Sequence, residues 1–387
     1  MKFLSLVCAA MLSACVSKPL LKGEKPMARR VPIASESPSA PIVGGLSGLF
    51  YASSESTSTV SIYYSITDRG PNGKPVTEKG VVRRPFLEPA FSPKLLRIAY
   101  DRERGTAAVT SRWPILKTNG RPATGLPNSA RAWNRNEPEE KPIDSKGRVL
   151  AFDPEGFDSE SMVRDASGRF WIGEEYGPSL LKVTADGRIE KRWSPGEGGL
   201  PEFIKRRKNN RGFEAMTWNS EGHLLLFLQS ELPRVSKSET ATHLIPVVEF
   251  DPVQEKTVGL YFYEASPEGG KLGDATLSGD GSILVIEQNG KTGDKAWQRV
   301  VRVVFSKSLN VLAAAQAKGI DYEPDAEGVR AAHSEFYDLT ALGLSDLEKI
   351  EGLAMGPDGE LAIVNDNDFG LESNTPSFLI LVPGGAR

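Results

Sequence analysis

Cysteine and histidine are scarce in this chain. Of its 387 residues, two are Cys and three are His. Cys8 and Cys15 both lie near the start, so the sequence after them has no thiol for a disulfide, a nucleophile or a zinc site. His223, His243 and His333 are far apart in sequence, which disfavours a zinc site built from histidines.

Several signatures of other protein classes are also missing. The sequence has no G-x-S-x-G nucleophile elbow, no G-x-x-x-x-G-K-[ST] phosphate loop and no dinucleotide-binding glycine fingerprint after a strand. The 47 basic side chains nearly balance the 50 acidic ones, which argues against nucleic acid as a partner. Beyond the first residues, no apolar run approaches the roughly 20 residues of a membrane-spanning helix.

The N-terminus has the features of a secretory signal. Lys2 precedes an apolar run over residues 3–12, and the sequence Leu-Ser-Ala-Cys follows at residues 12–15. This pattern resembles a bacterial lipoprotein signal, in which the Cys is acylated and becomes the mature N-terminus. We therefore expect residues 1–14 to be removed and Cys15 to carry the lipid.

The lipoprotein resemblance also predicts location and domain boundaries. Residues 15–40 are rich in Pro, Ser, Lys and Arg and are expected to form a flexible linker. The folded domain is expected over residues 41–387. It would be held at the periplasmic side of the cell envelope by the lipid alone, with the outer membrane favoured because Val16 provides no retention signal.

An acidic or small polar residue beside a glycine recurs along the chain, each time followed by an apolar strand that ends in another acid. Pairs such as Ser167-Gly168 and Asp280-Gly281 separate the apolar runs, as β-hairpins require. Repetition at this scale is typical of β-propellers, in which small sheets surround one axis. The repeated segments begin at residues 44, 153, 212, 273 and 350.

The spacing of these repeats predicts an all-β fold with six propeller blades, seven being less favoured. The positions taken as equivalent are Ser47, Glu155, Glu214, Asp274 and Glu351. Because the first interval is nearly double the next two, a degenerate copy at residues 95–105 would supply the sixth blade. Only three strands fit after the last repeat, so a strand near residues 41–43, or just before them, is expected to close the ring.

The first strand of each blade lines the axis, so the repeated acids are expected to share one cavity. Crowded carboxylates repel one another unless they take up protons or share a cation. Ca²⁺ suits such oxygen ligands and tolerates irregular ligand sets better than Mg²⁺ does. The predicted Ca²⁺ ligands are Asp68, Glu155, Glu214, Asp274, Glu287 and Asp366. The predicted catalytic residues are Glu155, Glu175, Glu214 and Glu351.

Basic residues beside the acid-bearing segments predict an anion site. The residues expected to bind the anionic group of a substrate are Arg69, Arg211, Lys271 and Lys291. A structural role is open for each inner acid, because a carboxylate can also bind neighbouring backbone and hold blades in register. The basic run at 205–208 lies in a polar insertion, 194–211, that is expected to form a long loop.

Six segments in order carry a family resemblance. They are GGLSGL (44–49), ITDRGP (66–71), DPEGF (153–157), GEEYGP (173–178), RGFEAMT (211–217) and EGLAMGPDGELAIVNDNDFG (351–370). Together they resemble the phytase-like family with esterase-like activity, over about residues 42–383. The resemblance implies a propeller whose acids form a phosphoesterase or esterase site. The family's acids correspond to Asp68, Glu155, Glu175, Glu214, Glu351 and Asp366, and Asp274 matches less closely.

The combined expectation is a lipid-anchored, monomeric hydrolase. Its substrate would be a small anionic ester, with a phosphoester favoured, and axial carboxylates would hold Ca²⁺. Two alternatives are open. One is a non-catalytic envelope protein that binds a glycan, a peptide or another lipoprotein. The other is a lactonase-like calcium hydrolase with a less cationic pocket.

Overall fold

The computed structural model describes residues 27–128, 140–196, 199–235, 242–325, 329–371 and 375–384. These residues are organised mainly as strands, with one α-helix, α1 (Leu312–Lys318). The expected all-β class is confirmed. The predicted signal, 1–14, and the predicted lipidation site, Cys15, lie outside the described residues. Among the helices that are described, none has the length and apolar character needed to span a membrane.

Twenty-three strands are found in the described residues. The first twelve are β1 (Arg29–Ala34), β2 (Leu46–Tyr51), β3 (Val60–Thr67), β4 (Val76–Glu78), β5 (Val81–Pro85), β6 (Lys94–Asp101), β7 (Thr106–Pro114), β8 (Lys141–Ile143), β9 (Ser159–Arg164), β10 (Phe170–Glu174), β11 (Ser179–Val183) and β12 (Ile189–Trp193). The others are β13 (Phe213–Trp218), β14 (Leu224–Leu228), β15 (Leu244–Asp251), β16 (Lys256–Glu264), β17 (Lys271–Leu277), β18 (Ile283–Gln288), β19 (Gln298–Val304), β20 (Ala332–Asp338), β21 (Lys349–Met355), β22 (Leu361–Asp366) and β23 (Phe378–Val382).

Short helical turns connect some of these strands. The 3-10 turns are Ser53–Glu55, Glu202–Arg206, Gly293–Lys295, Lys307–Leu309, Gly319–Asp321, Pro357–Gly359 and Asp368–Gly370, and a π-type turn spans Thr340–Leu344.

Five groups of four strands form a ring in the part of the chain that the structure describes; the first and last are joined through β1 into one eight-stranded sheet, and β4, β5 and β8 form a separate three-stranded sheet. In chain order they are β2-β3-β6-β7, β9-β10-β11-β12, β13-β14-β15-β16, β17-β18-β19-β20 and β21-β22-β23-β1, here called blades one to five. The innermost strands touch around the axis: β2 contacts β9, β9 contacts β13, β13 contacts β17, β17 contacts β21, and β21 contacts β2. This arrangement is that of a five-bladed β-propeller.

The prediction of a sixth blade is wrong for the described residues. Residues 95–105 begin in β6, the third strand of blade one, which pairs with β3 and β7. The long first interval has a different cause. Residues 68–93 insert β4 and β5 between β3 and β6, and residues 115–158 separate β7 from β9. Insertions, and not an extra blade, therefore lengthen the interval.

The N-terminal strand joins the last blade, as expected, but it starts earlier in the chain. Arg29 to Pro32 pair antiparallel with β23, and Ile33 and Ala34 pair parallel with β7. One strand thus joins blade five to blade one and covers both edges. The expectation that all of residues 15–40 form a flexible linker is therefore wrong, because residues 29–34 belong to a sheet.

Apolar side chains fill the spaces between neighbouring blades. The largest cluster joins blades two, three and four and includes the buried Trp171, Phe227 and Val285. Strand β14, with the sequence LLLFL, is buried along its whole length. Since each blade packs on two neighbours, strands such as β14 bury apolar side chains on both faces.

Replacement of Ile33 by Ala should lower the free energy of unfolding by about 2–5 kcal/mol, because the side chain is 6% exposed and packs in the closure between blades one and five. The control is Val253→Ala, at a side chain that is 90% exposed, with an expected change of about 0.5 kcal/mol or less. Urea unfolding measures both. An unfolding midpoint of Ile33→Ala equal to that of the unmodified protein would mean that this strand adds nothing to the domain.

Candidate active site and metal centre

A β-bulge interrupts every innermost strand where it pairs with the second strand of its blade. In four blades an acidic residue falls at the position without a cross-strand partner. These acids are Glu160, Glu214, Asp274 and Glu351. A bulge bends the strand and re-aims a side chain. The bulges thus re-aim the side chains of the inner acids. A regular strand, in which side chains alternate between the two faces, would orient them differently.

Three carboxylates meet closely beside the axis. One oxygen each from Asp158, Glu160 and Glu175 lies within 4.8 Å of the other two. Glu160 remains partly exposed, yet the burial of its carboxyl raises its pKa well above the usual value, and the charges of Asp158 and Glu175 raise it further. Glu214 and Glu351 add to this effect, so the acids of blades two, three and five face one another.

Three of these acids retain a buried oxygen without a hydrogen-bond partner: Glu175 Oε1, Glu214 Oε2 and Asp158 Oδ2, which lies 3.2 Å from the Arg69 guanidinium. Burial raises the pKa of Glu175 to about 8, with the charge of Asp158 adding to the shift and that of Arg69 opposing it. Burial also raises the pKa of Glu214 well above its usual value. Dehydrated carboxylate oxygens without partners suit a hard cation. The donor set of Asp158, Glu160 and Glu175 therefore fits Ca²⁺.

An open cavity of about 520 Å³ lies near these acids, although none of them is among its lining residues. Its charged lining residues are Lys208, Arg211, Glu231 and Lys271, and His243 also lines it. Two of the predicted anion-binding residues, Arg211 and Lys271, are therefore in the cavity wall. The charge of Arg211 opposes the raised pKa of Glu175, and that of Lys271 opposes the raised pKa values of Glu214 and Glu351. The cavity thus places cations next to the axial acids.

The other two predicted anion-binding residues lie elsewhere. Arg69 is bound to Asp158, with its backbone N–H donating to Oδ1 at 3.0 Å and its guanidinium 3.2 Å from Oδ2. It also donates to Asn210 at 2.6 Å and lies over the ring of Tyr176. Lys291 is exposed on a turn and does not line the cavity. Arg69 is thus placed to orient Asp158, while Lys291 contacts neither the acids nor the pocket.

A second group of acids surrounds Lys349. Its Nζ donates to Asp366 at 2.8 Å and to Asp368 at 2.5 Å. Asp68 lies nearby, and its pKa is raised well above the usual value by burial and by the charges of Asp366 and Asp158. Asp68 and Asp366 were predicted as metal ligands. In the structure the Lys349 ammonium already supplies the positive charge for Asp366.

Glu155 does not reach the axis, and its predicted catalytic and metal-binding roles are corrected here. Its side chain is 54% exposed, and the nearest cation, Lys117, is 4.0 Å away. It lies in the turn before β9, whereas the inner-strand acid of blade two is Glu160. The sequence does contain a signal for this assignment, since Glu160-Ser-Met matches the Glu214-Ala-Met of blade three.

Asp274 and Glu287 face protein groups where a metal was expected. Oδ2 of Asp274 accepts the backbone N–H groups of Leu49 at 3.1 Å and Leu353 at 2.8 Å. It therefore ties blade four to blades one and five. Glu287 accepts the hydroxyl of Tyr263 at 2.8 Å and pairs with Arg299 at 3.0 Å. These contacts support the structural role that the sequence left open for Asp274 and Glu287, and their role as metal ligands stays a prediction.

Sequence reasoning missed four residues of this region: Asp158, Glu160, Arg207 and Lys349. Arg207 is fully buried after a 3-10 turn, and its charge opposes the raised pKa of Glu175. It belongs to the basic run that was expected to lie in a loop. No pattern in the sequence distinguishes this Arg from its neighbours, because its burial comes from tertiary packing.

Comparison with known proteins now identifies the family. A family model described as phytase-like, with esterase-like activity of phytase, matches residues 41–369. The chain belongs to this family. Blades one to four of this phytase-like protein and strands β21 and β22 of blade five lie inside the matched range, as do Asp158, Glu160 and Glu175, whereas β1 and β23 lie outside it.

Other similarities are more distant. The phytase-like chain is 28% identical over 101 residues to an uncharacterized secreted protein of Arthroderma benhamiae, an alignment that covers 19% of this chain and 20% of that protein. The chain therefore spans about a fifth of the length of this curated relative. A calcium-binding regucalcin of Agrobacterium tumefaciens has 13% identity and a TM-score of 0.36, covering 93% of this chain and 96% of that one. An aldose sugar dehydrogenase of Streptomyces coelicolor has 11% identity and a TM-score of 0.36, covering 92% and 99%.

The buried acids predict that the metal-free protein loses stability as the pH rises. The pKa values are raised from 4.5 to about 8 for Glu175 and to about 7 for Glu351. Acids whose pKa is higher in the folded state stabilise it fully below their unfolded pKa, and this contribution is lost as the pH rises through 7 and 8. Urea unfolding in excess chelator should therefore give a free energy of unfolding that decreases from pH 5 to pH 8.5.

Glu175→Gln should make this decrease shallower, because one of the titrating groups is removed. Glu155→Gln serves as the matched control, since the exposed Glu155 lies outside the cluster. If the unmodified protein shows the same stability across this range, then the axial carboxyls are not dehydrated as described.

Proposed function

We propose that this protein is a calcium-dependent hydrolase of small anionic esters, with phosphoesters as the preferred class. The observation that carries the proposal is the position of the Asp158, Glu160 and Glu175 oxygens, within 4.8 Å of one another and beside a cavity lined by cations. Membership of the phytase-like family, with its esterase-like description, supports the same class of reaction.

Asp158, Glu160 and Glu175 would hold the Ca²⁺. All three donors are carboxylates, which a hard divalent ion prefers. When bound, Ca²⁺ would supply Lewis-acid polarisation of the ester. Arg69 would keep Asp158 in place through its backbone and side-chain contacts. This ligand set differs from the one expected from sequence, because it is chosen for the close approach of the three carboxylates.

The remaining residues would bind the substrate and move the proton. Lys208, Arg211 and Lys271 line the cavity and would hold the anionic group. Burial raises the pKa of Glu351 to about 7, which suits a group that takes a proton from the attacking water near neutral pH. The charge of Glu351 also raises the pKa of Glu214, so ionisation of Glu351 favours the protonated form of Glu214.

The cationic wall weighs against the lactonase-like alternative, because a neutral sugar lactone does not need Lys208, Arg211 and Lys271. A binding protein without catalysis would be favoured if the axial acids were all paired. Glu287 is paired, whereas Glu175, Glu214 and Asp274 each keep one buried oxygen without a partner. The enzyme hypothesis therefore has more support than either alternative.

We also propose that the protein works at the periplasmic side of the cell envelope. The proposal includes a lipid at Cys15, placement at the outer membrane and a monomeric state without nucleic-acid partners. Its support is the Leu-Ser-Ala-Cys pattern at residues 12–15 and the match to a secreted protein. Metabolic labelling with a fatty acid, in cells that express the natural chain or Cys15→Ala, tests the lipid directly.

Glu160→Gln should lower kcat/KM for p-nitrophenyl phosphate by about a hundredfold or more and should weaken Ca²⁺ binding, because it removes one ligand charge from the cluster. Chelation should abolish activity, and added Ca²⁺ should restore it. Colorimetric assay and calorimetry of Ca²⁺ binding measure the two effects.

Glu155→Gln is the matched control for Glu160→Gln and should retain activity within about twofold. Equal losses in the two variants would contradict the assignment of Glu160. Activity that persists in chelator would contradict the role of Ca²⁺, and inactivity on phosphomonoesters, phosphodiesters and carboxyl esters would contradict the enzyme hypothesis.

A further inference from the structure

The cavity of about 520 Å³, here called the cationic cavity, contains polar groups that the proposed function leaves without a role. Besides its three cations, its wall includes Ser230, Glu231 and His243. A cavity for an anion alone needs only the cations, and a carboxylate in its wall repels any second negative charge on the ligand. Glu231 therefore indicates a ligand that has neutral polar groups beside one anionic group.

The three cations of the cationic cavity are available to a ligand. In the part of the chain that the structure describes, the side chains of Lys208, Arg211 and Lys271 have no hydrogen bond and no ion pair. Arg69, by contrast, is bound to Asp158. The three cations can therefore hold the oxygens of a phosphate without first breaking an interaction within the protein.

The polar groups of Ser230, Glu231 and His243 are also incompletely bonded. Oγ of Ser230 is buried and has no hydrogen-bond partner. Among the described residues, Glu231 accepts one hydrogen bond, from the backbone N–H of His243 to Oε2 at 2.8 Å, and the imidazole of His243 makes none. A hydroxyl, a carboxylate and an imidazole can each bond the hydroxyl group of a ligand, which both donates and accepts.

The strand order separates the two sets of groups. Arg211 lies two residues before β13, and Lys271 is the first residue of β17, and both of these strands are innermost. Ser230 and Glu231 follow β14, and His243 precedes β15, which are the second and third strands of blade three from the axis. The cations thus come from the axial side of the cavity. Ser230, Glu231 and His243, here called the outer group, come from strands farther out.

The cationic cavity has little apolar surface. Its apolar lining residues are Ile245 and Ala265, which are only 1% and 5% exposed, and none of its lining residues in the described chain is aromatic. Small-molecule pockets are lined mainly by apolar and aromatic side chains. A nucleobase, an aryl group or a long alkyl group would therefore find no matching surface here.

We infer that the cationic cavity binds the monophosphate ester of a sugar or another polyol. Lys208, Arg211 and Lys271 hold the phosphate, and the outer group bonds the hydroxyls. The inference rests on the proposed function and narrows its substrate class. In the reaction, an oxygen of water forms a bond to phosphorus while the bond from phosphorus to the alkoxy oxygen breaks, and the polyol leaves with one proton of that water.

The test uses two matched pairs of esters on the full-length protein with Ca²⁺. Glucose 6-phosphate is compared with cyclohexylmethyl phosphate, and glycerol 3-phosphate with propyl phosphate. In at least one pair the hydroxylated ester should have a kcat/KM about tenfold or more higher, because the analogue leaves the polar groups of the cavity unpaired. Phosphate release measures the ratio. Equal values within both pairs would overturn the inference while leaving the proposed function in place.

Glu231→Ala should reduce this ratio by about fivefold or more, and Ser230→Ala by about threefold, because each removes a partner of the hydroxyls. Loss of folded protein would lower both kcat/KM values and leave their ratio unchanged, so the ratio reports recognition. Glu268→Ala is the matched control, since this exposed carboxylate is next to Gly269 but does not line the cavity, and the ratio should stay within about twofold. A ratio that survives both Glu231→Ala and Ser230→Ala would overturn the inference.

Calorimetry separates this inference from the proposed function. If none of the four esters is hydrolysed, the proposed function is contradicted for phosphomonoesters. Tighter binding of a hydroxylated ester than of its analogue, lost in Glu231→Ala or Ser230→Ala, would still support the inference for the cavity. Equal binding within both pairs would reject it.

Discussion

The dehydration of carboxylates at a narrow axis is the constraint on which this structure depends. Five inner strands touch around the ring, and a Cβ at Gly48 would lie only 2.9 Å from the backbone N of Met162. Little room for water remains there. A carboxylate in such a place requires hydrogen-bond donors, a neighbouring cation or a proton. Each axial acid can be classified by whether it obtains hydrogen-bond donors, a neighbouring cation or a proton.

The acids divide into three groups on this basis. Asp274 accepts backbone N–H groups from two other blades and holds the ring together. Asp366 and Glu287 are satisfied by Lys349 and Arg299. Glu175 and Glu214 keep buried oxygens without partners, and the cationic cavity opens beside them. Glu175 belongs, with Asp158 and Glu160, to the carboxylate cluster that could hold a cation, so the same constraint that stabilises the ring also leads to the proposed site.

Much of the fold could be predicted from the repeats, because apolar strands and turn pairs are local signals. The all-β class and the pairing of an N-terminal strand with the last blade followed from them. The number of blades could not be predicted in this way, because an insertion and an unrecognised repeat both lengthen the interval between two recognised repeats. The strand at 29–34 was assigned to a linker because it is short and polar at its outer face, and only its pairing with β23 and β7 reveals it.

The sequence predicted the kind of site, a cluster of acids at the axis, but it did not predict all of the residues in it. Glu175, Glu214 and Glu351 face the axis region, but Glu160 was missed in favour of Glu155, five residues earlier. The match of Glu160-Ser-Met to Glu214-Ala-Met was the available signal, but the bulge that turns Glu160 inward depends on pairing with β10. The burial of Arg207 and the insertion of Lys349 between acids are likewise tertiary effects that local patterns do not encode.

The most direct test of the central claim is crystallography of the protein with Ca²⁺ or a lanthanide, using the anomalous signal to locate the ion. The account predicts a peak at bonding distance from oxygens of Asp158, Glu160 and Glu175. A peak beside Asp366 and Asp368, or no peak at the axis at saturating ion, would contradict it.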